Sequence, residues 1–213
     1  MSAQPVAARV VRLVAGLKRL YPDADCELHH GSALELLVAT ILSAQCTDQR
    51  VNTVTPALFA RYQTATDYAT AEVADVEALV HATGFFRNKA KAIIGLARAL
   101  LEHHGGEVPD AMDDLVKLPG VGRKTASVLL SVWFHKPAIP VDTHVVRLVS
   151  RLGLTKETDP VGIEFALRKL LPESEWSFVA TALIWHGRRI CSARNPGCVA
   201  CALSGDCPFP KRL

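Results

Sequence analysis

Residues 118–126 read LPGVGRKTA, a proline and two glycines followed by two basic residues, and they lead into the apolar run TASVLLSVWF at 125–134. Pro119 ends the helix before it, because its ring clashes with a carbonyl one turn back and its nitrogen carries no hydrogen. Gly120 and Gly122 are expected to take backbone angles that a Cβ would forbid and to let another chain approach closely. The stretch therefore predicts a helix, a tight turn and a second, buried helix beginning near Arg123. The same pattern extends outward along the chain. Apolar positions recur at helical spacing, as in Val10, Val11, Val14 and Leu17, and helices are predicted at about 6–20, 33–45, 48–61, 74–81, 88–103, 111–117, 123–134, 143–152, 160–171 and 175–187. Short breakers such as YPD, HHGGEVPD and HKPAIP separate them. No window alternates with the period of two that a strand requires, so the fold class is all-α.

The chain has 213 residues, 49% of them hydrophobic and 6% aromatic, enough for one large or two small globular domains. A net charge of +3 permits a polyanionic partner without requiring one, so a nucleic-acid reading has to come from local clusters. The runs TASVLLSVWF and FVATALIW fall short of the about 20 apolar residues of a membrane span. Residues 1–22 lack acidic side chains and superficially resemble a transit peptide, but Arg9, Arg12, Lys18 and Arg19 interrupt the apolar stripe, and we read an amphipathic first helix with no organelle targeting. The six cysteines then belong to a reducing compartment, where clustered thiols bind metal more readily than they pair.

Behind the glycine turn, the unpaired N–H groups at the start of the next helix point outward and can receive a phosphate oxygen. With Arg123 and Lys124 added, this is the pattern of a DNA-binding helix-hairpin-helix; without a ligand it would be a plain connection between antiparallel helices. Lys124 sits near the positive end of the helix dipole, which favours its neutral amine. It would otherwise be a solvated charge or a second phosphate contact. Asp142 in PVDTHVVRL is first of all a helix N-cap, worth about 1 kcal/mol. A helix from Arg123 to Phe134 is roughly 18 Å long, and residues 135–141 can extend to about 23 Å. The connection can thus return the chain, letting Lys124 and Asp142 flank one cleft. An amine nucleophile beside a carboxylate is what attack at a sugar C1′ with a developing oxocarbenium ion requires.

Cys191, Cys198, Cys201 and Cys207 follow the spacing C-x6-C-x2-C-x5-C within seventeen residues. Four thiolates so close, with no histidine in the loop, form an all-sulfur site for zinc or a cubane iron–sulfur cluster, and spacing favours neither. Cys26 and Cys46 stand alone and read as packed thiols.

At these residues the chain resembles the endonuclease III family, bifunctional DNA glycosylases of base-excision repair, over nearly its whole length. LSAQCTDQRVN, TGFFRNKAKAI, LPGVGRKTA, VDTHVVRL and LIWHGRRIC, followed by the cysteine loop, occur in the family's order. The resemblance implies two helical lobes with DNA in the cleft between them: a six-helix barrel-like lobe at 26–137 and a cluster lobe at 1–25 and 138–213. It implies a [4Fe-4S] cluster on the four cysteines. It makes Lys124 the nucleophile that displaces the base, forms a Schiff base at C1′ and cuts the strand by β-elimination, with Asp142 generating the neutral amine or stabilising positive charge. For the amine to stay neutral beside an acid, desolvation and the helix dipole must outweigh it. Gln45 matches the gap-filling position and Phe85 the wedge; Leu118, Gly120, Val121, Gly122 and Arg123 would grip DNA, and Asp48 and His144 would line the damage pocket. Arg188, Arg189 and Arg194 would add backbone contacts. Val116, Phe85 and Cys46 depart from the family's commoner residues. The implied protein is a monomer of the bacterial cytoplasm acting on duplex DNA with oxidised pyrimidines or abasic sites. The alternatives are a redox-sensing DNA-binding protein without catalysis and a glycosylase without lyase activity.

Overall fold

The computed structural model describes residues 6–209; residues 1–5 and 210–213, part of the cluster-lobe and N-terminal readings, lie outside the described residues. The described residues form eleven α-helices: α1 Val6–Leu20, α2 Ala33–Leu42, α3 Asp48–Arg61, α4 Ala65–Ala69, α5 Val73–Val80, α6 Phe86–His104, α7 Met112–Leu115, α8 Arg123–Val132, α9 Thr143–Leu152, α10 Pro160–Leu170 and α11 Trp176–Arg189. Short 3-10 turns lie at His81–Thr83 and Glu173–Glu175. No strand occurs among the described residues, and no described helix is long and apolar enough to cross a membrane.

The chain divides into two compact units, one spanning Cys26–Lys136 and the other running to Asp25 and resuming at Pro137. The Cys26–Lys136 unit carries seven α-helices, one more than the six ranges that helical periodicity predicts within it. The additional one is α4, five residues long and set by a capping box in which Thr64 and Asp67 bond each other's backbone N–H groups. That signal is only four residues long and is easily passed over beside a long apolar run. Helix α2 is buried from Leu36 to Leu42 because LLVATIL is apolar but for Thr40, whose hydroxyl donates to the Leu36 carbonyl, and it packs on α3, α6 and α8. It stops at Leu42, three residues before the expected end, because Gln45 takes a left-handed φ of 55° that no helix continues through. Helix α6 buries the stripe Lys89, Ile93, Leu96 and Leu100 and packs on α4 and α5. It starts at Phe86, earlier than expected, and ends on Gly105, whose φ of 62° and N–H bond to the Leu100 carbonyl form a left-handed C-cap.

In the second unit, α9 and α11 pack together around Val145, Leu148, Val149, Val179 and Leu183, with α1 contributing Val10, Leu13 and Leu17. Arg9 of α1 donates to the Leu152 and Gly153 carbonyls, closing the C-terminus of α9. Residues 190–209 contain only turns, and they dock on α1 through Leu203, which is 4% exposed. A Cβ on Gly16 would lie 2.6 Å from Leu203 Cδ2, so glycine there admits the leucine.

Candidate nucleic-acid interface and thiol cavity

The hairpin runs from the end of α7 to the start of α8. Within it the Leu118 N–H donates to the Leu115 carbonyl and the Val121 N–H to the Leu118 carbonyl, each at 3.1 Å. The Leu118 and Val121 side chains are buried, 4% and 5% exposed, and their N–H groups are engaged within the turn, so the backbone at Gly120, Gly122 and the start of α8 is what the hairpin can offer a phosphate. The two glycines differ, contrary to the reading that both need special angles. Gly120 has a φ of 78°, and a Cβ there would meet Ala92 Cβ at 3.0 Å. Gly122 is the α8 N-cap at φ −89°, ψ 173°, ordinary extended backbone, and a Cβ there would meet nothing within 4 Å. Gly120→Ala is accordingly expected to cost about 1–3 kcal/mol through left-handed strain and overpacking. Gly122→Ser, which places a good N-cap in open space, should stay within about 0.5 kcal/mol of wild type. Thermal melts of the two variants check this contrast.

Lys124 is the second residue of α8 and is exposed. The protein alone therefore does not desolvate its amine by burial; any desolvation would have to come from a bound partner. Arg123 is half-buried beside it. Val116, the C-cap of α7, is 41% exposed.

Gln45 and Phe85 sit on two further turns of this unit. Both are exposed, Phe85 to 70%, and both are left-handed, at φ 55° and 49°. For residues with a Cβ this conformation costs about 1–2 kcal/mol each. Phe85 is thus not a core aromatic; its neighbour Phe86 is the ring that packs, 4.5 Å between centroids from His81. Asp48 is the first residue of α3 and half-buried, while the cap is Thr47, whose hydroxyl accepts from the Arg50 N–H at 3.2 Å.

In the other unit, Asp142 caps α9 as its sequence context requires, its Oδ1 accepting from the Val145 N–H at 2.9 Å. His144, half-buried, has its Nδ1 3.1 Å from an Arg147 guanidinium nitrogen. Burial pushes the His144 imidazole below its ordinary value; Asp142 pulls the other way, and Arg147 and Arg188 add to the fall. A histidine held neutral on folding stabilises the folded state above its unfolded pKa of about 6.5 and loses that contribution as pH falls through the folded value. Melting temperature is expected to drop as pH falls from about 7 to 5, with a shallower slope in His144→Gln, as thermal melts across that range would report.

None of the six cysteines forms a disulfide. Cys191, Cys198, Cys201 and Cys207 line one small cavity of about 20 Å³, and its walls include Leu148, Leu152, Ile190, Leu203 and Phe209. Burial pushes the Cys201 and Cys207 thiols up, and the neighbouring cysteines add to this. Arg147 donates to the Cys191 carbonyl at 3.1 Å and to the Gly187 carbonyl at 2.9 Å. Arg151 Nη1 lies 3.1 Å from Cys191 Sγ and donates to the Ser192 carbonyl at 2.7 Å. His186, 3% exposed, stands between Tyr21, 2.8 Å from Nδ1 to the hydroxyl, and Cys201, 3.5 Å from Nε2 to the sulfur. A guanidinium donor aimed at the Cys191 sulfur and an imidazole nitrogen beside Cys201 suit a thiolate-bound metal group, because such neighbours orient and stabilise the anionic ligands. Among the described residues, no three His, Cys, Asp or Glu side chains form a group that would hold a single metal ion. These arginines and His186 escaped the sequence reading; Arg147 and Arg151 stand four residues apart on α9, the one visible signal that they share a face.

Residues 38–173 match the family model of the HhH-GPD superfamily base excision DNA repair proteins. The chain is 52% identical over 201 residues to endonuclease III of Synechocystis sp., covering 94% of this chain and 92% of that one. It is 46% identical over 189 residues to endonuclease III of Bacillus subtilis, covering 88% and 86%. Among solved structures it is similar to a trapped endonuclease III–DNA covalent intermediate, with a TM-score of 0.93 and 41% identity over 100% of this chain and 99% of that one. A non-covalent endonuclease III–DNA complex matches equally, at 0.93 and 41%, over 100% and 98%.

Proposed function

The chain is a DNA glycosylase and abasic-site lyase of the endonuclease III family, within the HhH-GPD superfamily of base excision DNA repair proteins, and from that premise we propose which residues carry the reaction and on which lesions. The substrate is duplex DNA with oxidised pyrimidines or abasic sites. Lys124 is the nucleophile, and the observation that carries this is its place: exposed, one residue into α8, directly behind a turn whose backbone is the only part free to meet a phosphate.

The backbone at Gly120 and Gly122 and the N-terminus of α8 bind the phosphate. Bound DNA excludes water from the Lys124 amine, whose neutral form attacks C1′ as the glycosidic bond breaks and its electron pair leaves with the base. The departing base takes up a proton, the bound amine gives up one, and the ring oxygen takes one as the sugar opens, leaving a protonated Schiff base that acidifies C2′. Loss of a C2′ proton then expels the 3′ phosphate, and water releases the lysine. Asp142 holds negative charge toward the cationic stages. Gln45 fills the gap left by the flipped nucleotide and Phe85 wedges the opposite strand, which the exposure of both side chains supports.

Cys191, Cys198, Cys201 and Cys207 would hold a [4Fe-4S] cluster. Four thiols lining one cavity, together with the endonuclease III likeness, support this reading. When bound, the group would cross-link the turn-only segment 190–209 to itself.

Borohydride trapping tests the reaction. Wild-type protein with a duplex carrying one oxidised pyrimidine is expected to give a covalent complex when reduced and strand cleavage when not. Base release that leaves the strand intact until alkali is added would remove the lysine mechanism.

A further inference from the structure

Lys89 is unlike any other lysine of the described chain: it is 5% exposed, the fourth residue of α6, on the stripe it shares with Ile93, Leu96 and Leu100. An apolar side chain would suit that stripe better, since a buried ammonium loses its hydration and burial lowers its pKa. Its Nζ donates to the Leu42 carbonyl and to the Thr83 carbonyl, each at 2.8 Å. Leu42 is the last residue of α2 and Thr83 the last of the 3-10 turn, where carbonyls lack intrahelical partners and a cation is favoured. The chain runs three residues from the first carbonyl to Gln45 and two from the second to Phe85. Those are two of the three non-glycine residues with positive φ in the described chain.

We infer that Lys89 is a positioning residue for damage recognition: its ammonium ties the stems of the Gln45 and Phe85 turns together, so that the two exposed side chains meet a duplex as one rigid probe. The inference rests on the proposed gap-filling and wedging roles of those two residues. A filler and a wedge must enter the same opened base-pair step. If their stems are joined in the free protein, the entropy of ordering one relative to the other is paid on folding and not on binding.

The test uses Lys89→Met, which keeps the stem length and removes the donors, in the full-length protein. Two quantities are compared: affinity for a duplex containing a tetrahydrofuran abasic-site analogue, and single-turnover cleavage of a single-stranded abasic oligonucleotide, which has no opposite strand to wedge. The expected loss on the duplex exceeds that on the single strand by about tenfold, and little further loss follows when Lys89→Met is added to Gln45→Ala with Phe85→Ala. Equal losses on both substrates, or full additivity with the two truncations, would overturn the inference. Should Lys89→Met fail to fold by circular dichroism, the same comparisons with Lys89→Gln decide. If Gln45→Ala and Phe85→Ala themselves leave duplex affinity at the wild-type level, the reading of those two residues fails and takes this one with it. If they weaken binding and the Lys89 variants do not, only the role of Lys89 falls.

Discussion

Lys124→Gln is expected to abolish the borohydride-trapped complex and to lower strand cleavage at an abasic site by at least about 10³-fold, the scale on which loss of a covalent nucleophile acts. Glutamine matches the length of the lysine stem closely but has no amine to attack C1′. Because Lys124 is exposed and lies on the rim of α8 outside the buried set Ala126–Ser131, the substitution should leave the melting temperature within a few degrees of wild type. Duplex affinity should fall only modestly, since the hairpin backbone and the α8 N-terminus remain. Asp142→Asn is the informative companion. Asparagine is as good an N-cap as aspartate, so α9 keeps its start while the negative charge is lost. A slow reaction in Asp142→Asn with normal stability would place the aspartate in the chemistry; unchanged rates would confine it to capping. A trapped complex that persists in Lys124→Gln would move the nucleophile elsewhere.

Cys201→Ala is expected to yield colourless, iron-free protein with the second unit destabilised by several kcal/mol, the scale on which a structural metal group stabilises a small domain. The reason lies in residues 190–209. They contain no helix, and Leu203 is their only buried residue. Burying one leucine contributes about 2 kcal/mol, whereas ordering a residue's backbone costs about 1–2 kcal/mol each time. The hydrogen bonds from Arg147 and Arg151 help, but they hold only the first turn of the segment. Arg9 and Arg12 hold Asp206 near its other end, and the proposed group shared by the four thiols would tie the middle together. Cys46→Ala, in the other unit and outside this cavity, should keep visible absorption and iron content. Iron analysis and near-ultraviolet to visible spectra separate the outcomes: iron retained at the wild-type level in Cys201→Ala would remove that thiol from the ligand set.

Much of the helix plan was legible because its signals are local. The Asp142 cap and the Pro119 stop each act within a turn of chain, and the cysteine spacing is read directly. The hairpin is legible as a turn, but its two glycines look alike in sequence and differ in the fold: Gly120 needs its left-handed φ and its close packing on Ala92, whereas Gly122 sits in ordinary extended backbone. The early end of α2 and the early start of α6 were missed together, since both depend on residues with side chains adopting left-handed angles, Gln45 and Phe85, that propensity argues against.

The sequence by itself determined an all-helical chain, the place of the hairpin, a lysine at the head of a buried helix and a four-thiol segment, because helical period, caps and turns are set by residues within about four positions of one another. Only the tertiary structure decided that Leu118 and Val121 turn inward, that Phe85 turns outward, that the four thiols share a cavity edged by Arg151 and His186, and that Lys89 is buried between the carbonyls of Leu42 and Thr83. The Lys89–Leu42 contact spans 47 positions. A lysine on an apolar stripe reads as a local flaw until packing supplies carbonyls from two other segments, and such long-range pairings are set by how helices pack, which no window of sequence contains.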